Sequence, residues 1–287
     1  MKERTMPRGV PKTGFRRSKN TAERMANIKV TYTETKETDA QIEAKLAERF
    51  EILDVLAEAC TLGNARALIV SGPAGLGKSF TIEQRLREWD PNEVNHTIVK
   101  GYVRATGLVK LLYAYREEGQ VLVFDDADAI FFDDVSLNLL KAVCDTTERR
   151  RVSWLSEGKL IDEDTAEIVP RSFDFNGTVI FITNYDFDAM IERGHKLAPH
   201  LEALVSRAHY IDLAMKTRRD YLIRIRQVIK QGLLSYLNMN EQLDVINFIE
   251  ANHSSLRELS LRVAIKIGNL RKTNKQWQKL AKITCCK

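Results

Sequence analysis

A glycine-rich segment between an apolar run and a helical run constrains this chain more than any other feature. Residues 72–79 read G-x-x-x-x-G-K-S, and the apolar run Ala67–Val70 comes directly before them. This strand–loop–helix context is what a phosphate-binding loop requires, because glycines let successive backbone N–H groups point at phosphate oxygens. The N-terminus of the following helix adds its partial positive charge there. The pattern predicts a site for a nucleoside triphosphate.

The side chains of this loop predict a division of roles between phosphate and metal. We expect Lys78 to reach the β- and γ-phosphates of ATP and Ser79 to place its hydroxyl on Mg²⁺. The other expected nucleotide-binding residues of the loop are Gly72, Pro73, Ala74, Gly75, Leu76, Gly77 and Phe80.

Apolar runs alternate with helical runs through the middle of the chain. The apolar runs are Ala67–Val70, His96–Val99, Val121–Phe124, Val179–Ile182 and His209–Leu213. This alternation predicts an α/β fold in which helices cover both faces of a parallel sheet. After about residue 216 the pattern is only helical, which predicts a small all-helical domain.

The predicted organisation has three parts. Residues 1–37 read as a flexible basic arm, 38–215 as the α/β nucleotide-binding domain, and 216–287 as a helical domain with a basic tail. An amphipathic helix is expected over Gln41–Cys60, before the first strand.

Composition fits an ordinary globular protein of 287 residues, with 44% hydrophobic and 29% charged residues. No apolar run approaches the roughly 20 residues that span a bilayer, and the N-terminus lacks the apolar core of a signal peptide. The four cysteines have neither metal-binding nor disulfide spacing, and Cys285 and Cys286 are expected to be reduced thiols on a frayed end. These features favour a cytoplasmic protein.

The net charge of +5 hides an uneven distribution. Residues 1–29 contain nine Lys and Arg against two acids, and residues 257–287 contain nine against one. The two ends therefore carry +7 and +8, which leaves −10 for the chain between them. Basic ends on an acidic body suggest a polyanionic partner, with nucleic acid as the first candidate. A solvated tail and a solvated helix face remain the alternative.

Polar side chains follow two further apolar runs. The run Val121–Phe124 leads into Asp125 and Asp126, and another leads into Asn184. A buried strand that ends in carboxylates can deliver Asp125 to Mg²⁺, directly or through water, and Asp126 to the attacking water as general base. An amide at Asn184 can bond both the γ-phosphate and that water.

The order of these motifs resembles the AAA+ ATPase superfamily. After the phosphate loop, Asp125-Asp126 and Asn184 come Ala203-Leu204-Val205-Ser206-Arg207 and Leu259-Ser260-Leu261-Arg262, so that the match covers about residues 40–272. The resemblance implies a five-stranded parallel sheet of the ASCE type and a helical lid. It also implies a homo-oligomer, a hexameric ring or a helical assembly, with ATP sites between subunits. In this resemblance Arg207 acts as a finger in a neighbour's site, and Arg262 contacts the nucleotide of its own subunit. Asp-Asp in place of the more common Asp-Glu implies slow or partner-dependent turnover.

An insert separates the helical run from the strand that precedes Asn184. Two short apolar stretches, Arg151–Leu155 and Ile168–Pro170, flank a polar turn within residues 150–172, which predicts a β-hairpin. It resembles the hairpin that precedes the corresponding strand in superfamily 3 helicases and in several unfoldases, where it points toward the central pore. Lys159 near its tip suits a phosphate backbone, whereas the acidic turn at 162–164 argues against DNA contact. The preceding helix is expected to end near Arg149. We interpret Arg149–Arg151 as a solvated helix end, with the lining of a neighbour's site or of a substrate path as the alternative.

The segment Lys100-Gly101-Tyr102-Val103-Arg104 follows the second predicted strand, where AAA+ rings place a pore loop. Tyr102 resembles the aromatic residue with which unfoldases grip polypeptides. The same ring beside Lys100 and Arg104 would equally stack on single-stranded nucleic acid. A core tyrosine in a strand-to-helix turn is the third reading.

The sequence therefore predicts an ATPase that hydrolyses ATP-Mg²⁺ at subunit interfaces and acts on DNA as a motor or loader in replication or recombination. There are two alternatives. One is a protein remodeller that grips polypeptide through Tyr102, and the other is a scaffold whose assembly is switched by ATP. A partner protein is also considered. The segments Val123–Asp128, Ser153-Trp154 and Phe173–Gly177 are similar to compact phage-encoded AAA+ proteins, which implies the cytosol of a phage-infected or bacterial cell.

Overall fold

A computed structural model describes residues 36–156, 158–162, 166–215 and 217–287. Most of the predicted basic arm, and Glu163 and Asp164 of the predicted hairpin tip, lie outside these ranges. None of the described helices is long and apolar enough to cross a membrane.

Five parallel strands form the central sheet. The strands are β1 (Ala67–Ser71), β2 (His96–Lys100), β3 (Val121–Asp125), β8 (Thr178–Thr183) and β9 (His209–Asp212). Their spatial order is β2-β3-β8-β1-β9. The predicted five-stranded parallel sheet is thus confirmed, and each predicted strand lies within a residue of an observed one at either end.

Helices cover both faces of this sheet, and helices alone make up the C-terminal part, as predicted. They are α1 (Asp39–Thr61), α2 (Lys78–Trp89), α3 (Ala105–Ala114), α4 (Asp134–Val143), α5 (Phe187–Glu192), α6 (Ala198–Val205), α7 (Arg218–Val228), α8 (Met239–Asn252), α9 (Leu261–Thr273) and α10 (Trp277–Cys285).

Alternation along each strand divides the core in two, because successive side chains point to opposite faces of a sheet. Leu68 and Val70 of β1 belong to one cluster, which also contains residues of α1, α2 and the C-terminal helices. Ile69 of the same strand and Phe181 of β8 belong to the other, with α3, α4 and α6. Both faces are therefore buried, which accounts for the uninterrupted apolar runs.

Two short antiparallel pairs occupy the insert between α4 and β8. Strand β4 (Arg151–Ser153) pairs with β7 (Ser172–Asp174), and β5 (Leu160–Ile161) pairs with β6 (Ile168–Val169). The direction of this insert relative to a pore stays a prediction.

The helix before this insert was expected to run to about Arg149, but it ends at Val143. The prediction of a solvated helix end over Arg149–Arg151 is wrong for its central residue, because Arg150 is buried. Its guanidinium donates hydrogen bonds to the carbonyls of Val143 (2.9 Å) and Gly177 (2.8 Å), and burial lowers its pKa to about 10. Arg150 thus satisfies backbone acceptors at the end of α4 and before β8.

The C-terminus also differs from its prediction as a frayed end. Cys285 and Cys286 are both buried. Cys286 forms an isolated antiparallel bridge with Leu256, and Lys287 donates its backbone N–H to the carbonyl of Ser255 (2.8 Å). These backbone contacts hold the end of the described chain against the C-terminal helices.

We predict that Arg150→Met lowers the free energy of unfolding by about 2–4 kcal/mol, since two buried carbonyls lose their donors. The matched control is Arg151→Met, because Arg151 is exposed and its loss should change stability by less than about 0.5 kcal/mol. Chemical denaturation of both variants measures the difference. Equal stability of the two would contradict the structural role assigned to Arg150.

Candidate functional site

The phosphate loop, Asp125, Asp126 and Asn184 meet where three neighbouring strands end. Strand β1 runs into the phosphate loop, β3 ends at Asp125, and β8 lies between them and leads into Asn184. In the register of the sheet, Asp125 lies opposite Ile182 of β8, and Ser71 of β1 lies opposite Thr183. Parallel strands expose their carboxyl ends at one edge, so the topology alone brings these segments together.

Lys78 lies at the centre of this edge, with only 5% of its surface exposed. Its Nζ donates to the carbonyls of Gly72 and Pro73 (3.0 Å to the latter) and to Asn184 Oδ1 (2.9 Å). Burial lowers the pKa of Lys78 to about 8, although the carboxylates of Asp126 and Asp125 act in the opposite direction. The ammonium therefore lies inside the loop, in a place where its charge is costly without an anion.

Asn184 connects Lys78 to Asp126. Its amide nitrogen donates to Asp126 Oδ1 at 2.7 Å, while its amide oxygen accepts from Lys78. Asp126 is exposed and has a left-handed backbone (φ 54°), an uncommon conformation for a residue with a side chain that recurs at functional sites. The three residues form one hydrogen-bonded chain.

Ser79 and Asp125 form the second part of the site. The Ser79 hydroxyl donates to Asp125 Oδ1 at 2.9 Å, and Asp125 is buried at the end of β3. Both groups offer the oxygen ligands that Mg²⁺ prefers. No group of three His, Cys, Asp or Glu residues suited to a metal occurs in the described chain. The oxygens of Ser79 and Asp125 suit a magnesium ion that takes further ligands from a phosphate.

Lys100 lies beside the same carboxylate. Its Nζ is 3.3 Å from Asp125 Oδ2 and 2.6 Å from Glu83 Oε1 of α2. The structure thus places Lys100 between the strand edge and α2. Tyr102 and Arg104, the other two residues predicted to contact substrate, are exposed in the segment before α3. Because Tyr102 is 74% exposed, its reading as a core residue is wrong.

A cavity of about 970 Å³ lies over the phosphate loop, at the upper end of the size range of small-molecule sites. Its lining includes residues 74–81 of the loop and α2, and Asp126 and Asn184 at the strand ends. Helix α1 supplies Phe50, and the C-terminal helices supply Arg262 and Arg224. The pocket therefore lies between the sheet edge and the C-terminal helices.

The C-terminal helices contact the loop backbone directly. Leu261 donates its backbone N–H to the carbonyl of Gly75 (2.9 Å), and a Cβ built on Gly75 would lie 2.6 Å from Ser260 Cβ. Gly75 also has φ +78°, so both space and backbone conformation demand glycine here. The loop thus packs tightly against the start of α9.

The predicted arginines take different places. Arg262 lines the cavity. Two other arginines of the same region are engaged elsewhere: Arg257 donates to the carbonyl of Cys286, and Arg271 pairs with Asp244. Arg207 follows α6 and donates to the carbonyl of Ala203 at 2.7 Å. Arg207 is not among the described residues that line the cavity.

Sequence reasoning missed three residues at or next to this site. Asp128 accepts a hydrogen bond from the Thr183 hydroxyl (2.6 Å), one residue before Asn184, and burial raises the pKa of Asp128 to about 6. The Asp-Asp-Ala-Asp pattern could have indicated it. Glu83, which pairs with Lys100, could not be singled out because it is one of several charged residues on α2. Nothing in the sequence separates Arg224 from the three other arginines of residues 218–226.

We predict that the stability of the protein relative to Lys78→Met rises as the pH increases from about 8 to 10.5. The folded pKa of about 8 lies below the unfolded value of 10.5, so the unfolded state binds more protons in this window. The burial cost of the charged ammonium is complete below pH 8 and disappears by about pH 10.5. Between pH 8 and 10.5 the free energy of unfolding of the wild type, measured by urea titration, should rise relative to that of Lys78→Met by up to about 3 kcal/mol. A constant difference would contradict a buried, titrating Lys78.

Comparison with known proteins identifies one close family relation. No protein-family model matches the chain. A protein of Enterobacteria phage T4, described by its mass of 36.7 kDa and its position in the nrdC–mobD intergenic region, is 35% identical over 261 residues. The alignment covers 88% of this chain and 78% of the phage protein.

Solved structures show distant similarity, and two of them serve as examples. The RuvB Holliday junction branch migration motor of Thermotoga maritima is 16% identical, with 85% of this chain and 68% of that chain covered and a TM-score of 0.43. NtrX of Brucella abortus is 12% identical, with 86% and 55% covered and a TM-score of 0.39. Family membership rests on the phage relative. The chain belongs to the family of this phage T4 protein, and its five-stranded parallel sheet and C-terminal helices have the fold that the resemblance to AAA+ ATPases implies.

Proposed function

We propose that the protein is an ATPase that hydrolyses ATP-Mg²⁺ at the interfaces of a homo-oligomer and acts on DNA. The observation that carries this proposal is the hydrogen-bonded chain from Lys78 through Asn184 to Asp126, beside the Ser79–Asp125 pair. It combines a phosphate-binding cation, two metal-ligand oxygens and a carboxylate held for a water molecule, which are the parts that phosphoryl transfer needs.

Each residue has a role that follows from its contacts. Backbone N–H groups of residues 74–79 bind the phosphates, and Lys78 neutralises charge on the phosphoryl group that is transferred. Ser79 and Asp125 hold magnesium, which supplies further charge neutralisation when bound. Asp126 is oriented by Asn184 and accepts a proton from the attacking water. Arg262 contacts the nucleotide from the C-terminal helices.

The catalytic arginine comes from a second copy of the chain in this proposal. Arg207 is not among the described residues that line the cavity of its own subunit, and the one described hydrogen bond of its side chain is to nearby Ala203. A permanently charged, rigid guanidinium at the end of α6 suits a finger that enters a neighbouring site. Assembly into a ring or a helical filament would place it there.

We predict that Arg207→Ala leaves nucleotide binding unchanged and lowers the turnover rate by about 10³–10⁵-fold, the usual effect of losing an arginine finger. Lys78→Ala, which keeps Arg207, is expected to lose nucleotide binding. Steady-state phosphate release measures the rate, and nucleotide titration measures binding.

A mixture of the two inactive variants tests the position of the finger in trans. Where an intact site of an Arg207→Ala subunit meets Arg207 of a Lys78→Ala subunit, hydrolysis should return in part. A mixture as inactive as its components, although the subunits co-assemble, would contradict an interfacial site.

The surface of the C-terminal helices supports DNA as the partner. Lys266, Lys272, Lys275, Lys279 and Lys282 of α9, α10 and the turn between them are all exposed. No described carboxylate forms a salt bridge with these five lysines; Arg271 nearby pairs with Asp244 and Glu241. Exposed, unneutralised lysines on one helical pair are the kind of surface that phosphate backbones bind.

The runner-up is a protein remodeller, and the exposure of Tyr102 favours it. The ring lies in a loop after β2 whose Gly101 has a left-handed backbone (φ 98°), while the adjacent Val103 is buried and anchors the loop. An exposed aromatic residue on an anchored loop can grip an extended polypeptide.

We predict that single-stranded or duplex DNA stimulates ATP hydrolysis and that salt weakens this effect. Replacing Lys272, Lys275, Lys279 and Lys282 by Gln should reduce the salt slope of duplex binding by about 0.9 for each phosphate that these lysines neutralise in the wild type. Tyr102→Ala serves as the comparison variant. Stimulation by an unfolded protein alone, abolished by Tyr102→Ala and unchanged in the lysine variant, would replace the DNA proposal with the remodeller.

A further inference from the structure

One arginine on the cavity wall has no acidic partner. Arg224 of α7 is 6% exposed and lines the cavity. The carbon at the centre of its guanidinium lies 3.4 Å from the centroid of the Phe50 ring, so the group stacks on this ring of α1. Its Nη1 donates to Gln227 Oε1 at 2.8 Å. These two contacts fix both the plane and the rotation of the guanidinium.

The charge of Arg224 is unbalanced within the described chain. No described carboxylate forms a salt bridge with it, and its Nε is buried without a hydrogen-bond partner. Burial lowers the pKa of Arg224 to about 10, and no neighbouring charge opposes this effect. The buried Arg150, by contrast, donates to two backbone carbonyls. A buried cation with unused donors at a cavity wall is costly to folding, which marks it as a ligand contact.

Position and shape indicate which part of a ligand Arg224 meets. Its Nη2 lies 3.8 Å from the place that a Cβ on Gly77 would occupy, so the guanidinium is adjacent to the phosphate loop. The phosphates already have Lys78 and the loop N–H groups. Phe50 covers one face of the guanidinium, which makes the group a flat, weakly hydrated cation on an aromatic support. Such a surface suits the π-face of a nucleobase, while the nearby phosphates offset its charge.

We propose that Arg224, supported by Phe50, is the stacking platform for the nucleobase. This assignment rests on the proposed nucleotide-binding function and adds to it the residue that binds the base. The nucleobase, the guanidinium and the phenyl ring form three layers, in which Gln227 keeps the middle layer from rotating.

Calorimetric titration of Mg²⁺-ADP and of Mg²⁺-pyrophosphate into the full chain tests the proposal. Arg224→Met keeps an apolar side chain against Phe50 but removes the charge and the planar group. Arg224→Lys keeps the charge but removes the planar group. Both variants should bind ADP roughly tenfold more weakly and pyrophosphate within about twofold of the wild type. The control Lys230→Met removes an exposed cation just after α7 and should change neither affinity.

Each alternative gives a different result. Equal weakening of ADP and pyrophosphate would assign Arg224 to the phosphates and overturn the platform. Wild-type affinity in Arg224→Lys would show that charge alone matters, and unchanged ADP binding in Arg224→Met would remove Arg224 from the site. Failure of the wild type to bind ADP would instead overturn the proposed function. Thermal melting checks folding, and Arg224→Met should melt no lower than the wild type, since it removes an unpaired buried charge.

Discussion

The buried ammonium of Lys78 is the interaction on which the site depends. A cation with so little exposure needs acceptors close around it, and it finds them in two loop carbonyls and in Asn184. To supply these acceptors, the loop folds back around the Lys78 side chain, and the contact with Asn184 connects the loop to the end of β8. Asn184 in turn donates a hydrogen bond to Asp126, so contacts that begin at the Lys78 ammonium connect the ends of β1, β8 and β3. The same charge is only partly compensated by protein groups, which leaves it available for an anionic ligand.

Parallel pairing makes this arrangement possible. Because β8 lies between β1 and β3, Asn184 is placed between the loop and the Asp125-Asp126 pair without any long connection. Hydrogen bonds to the two neighbours of Asn184 stabilise its position. Asp128 accepts from the Thr183 hydroxyl, and the Ser71 hydroxyl donates to the carbonyl of Tyr185 at 2.7 Å. These bonds fix the backbone on both sides of Asn184. Precise placement of an amide for a water molecule requires this kind of support.

Sequence reasoning was reliable where local pattern determines structure. Buried parallel strands are short uninterrupted apolar runs, so β1, β3 and β8 and the polar residues at their ends could be predicted. It failed where tertiary contacts override local appearance. Arg150 looks like one of three solvated arginines, yet it is buried and donates to two backbone carbonyls. The position of Cys286 suggests a frayed end, yet its backbone forms an antiparallel β-bridge with Leu256. Arg224 gave no signal, because its partner Phe50 is 174 residues away in the chain.

The hydrogen bond from Leu261 to Gly75 has a mechanical consequence. It joins the N-terminus of α9 to the phosphate loop, and the helix then extends for 13 residues, about 20 Å at 1.5 Å per residue. A tilt of about 10° at the loop would move the far end of α9 by about 3 Å, by the geometry of a rigid rod of that length. The exposed Lys272 lies at that end. Any rotation of α9 about the phosphate loop would therefore displace its basic C-terminal end more than its start.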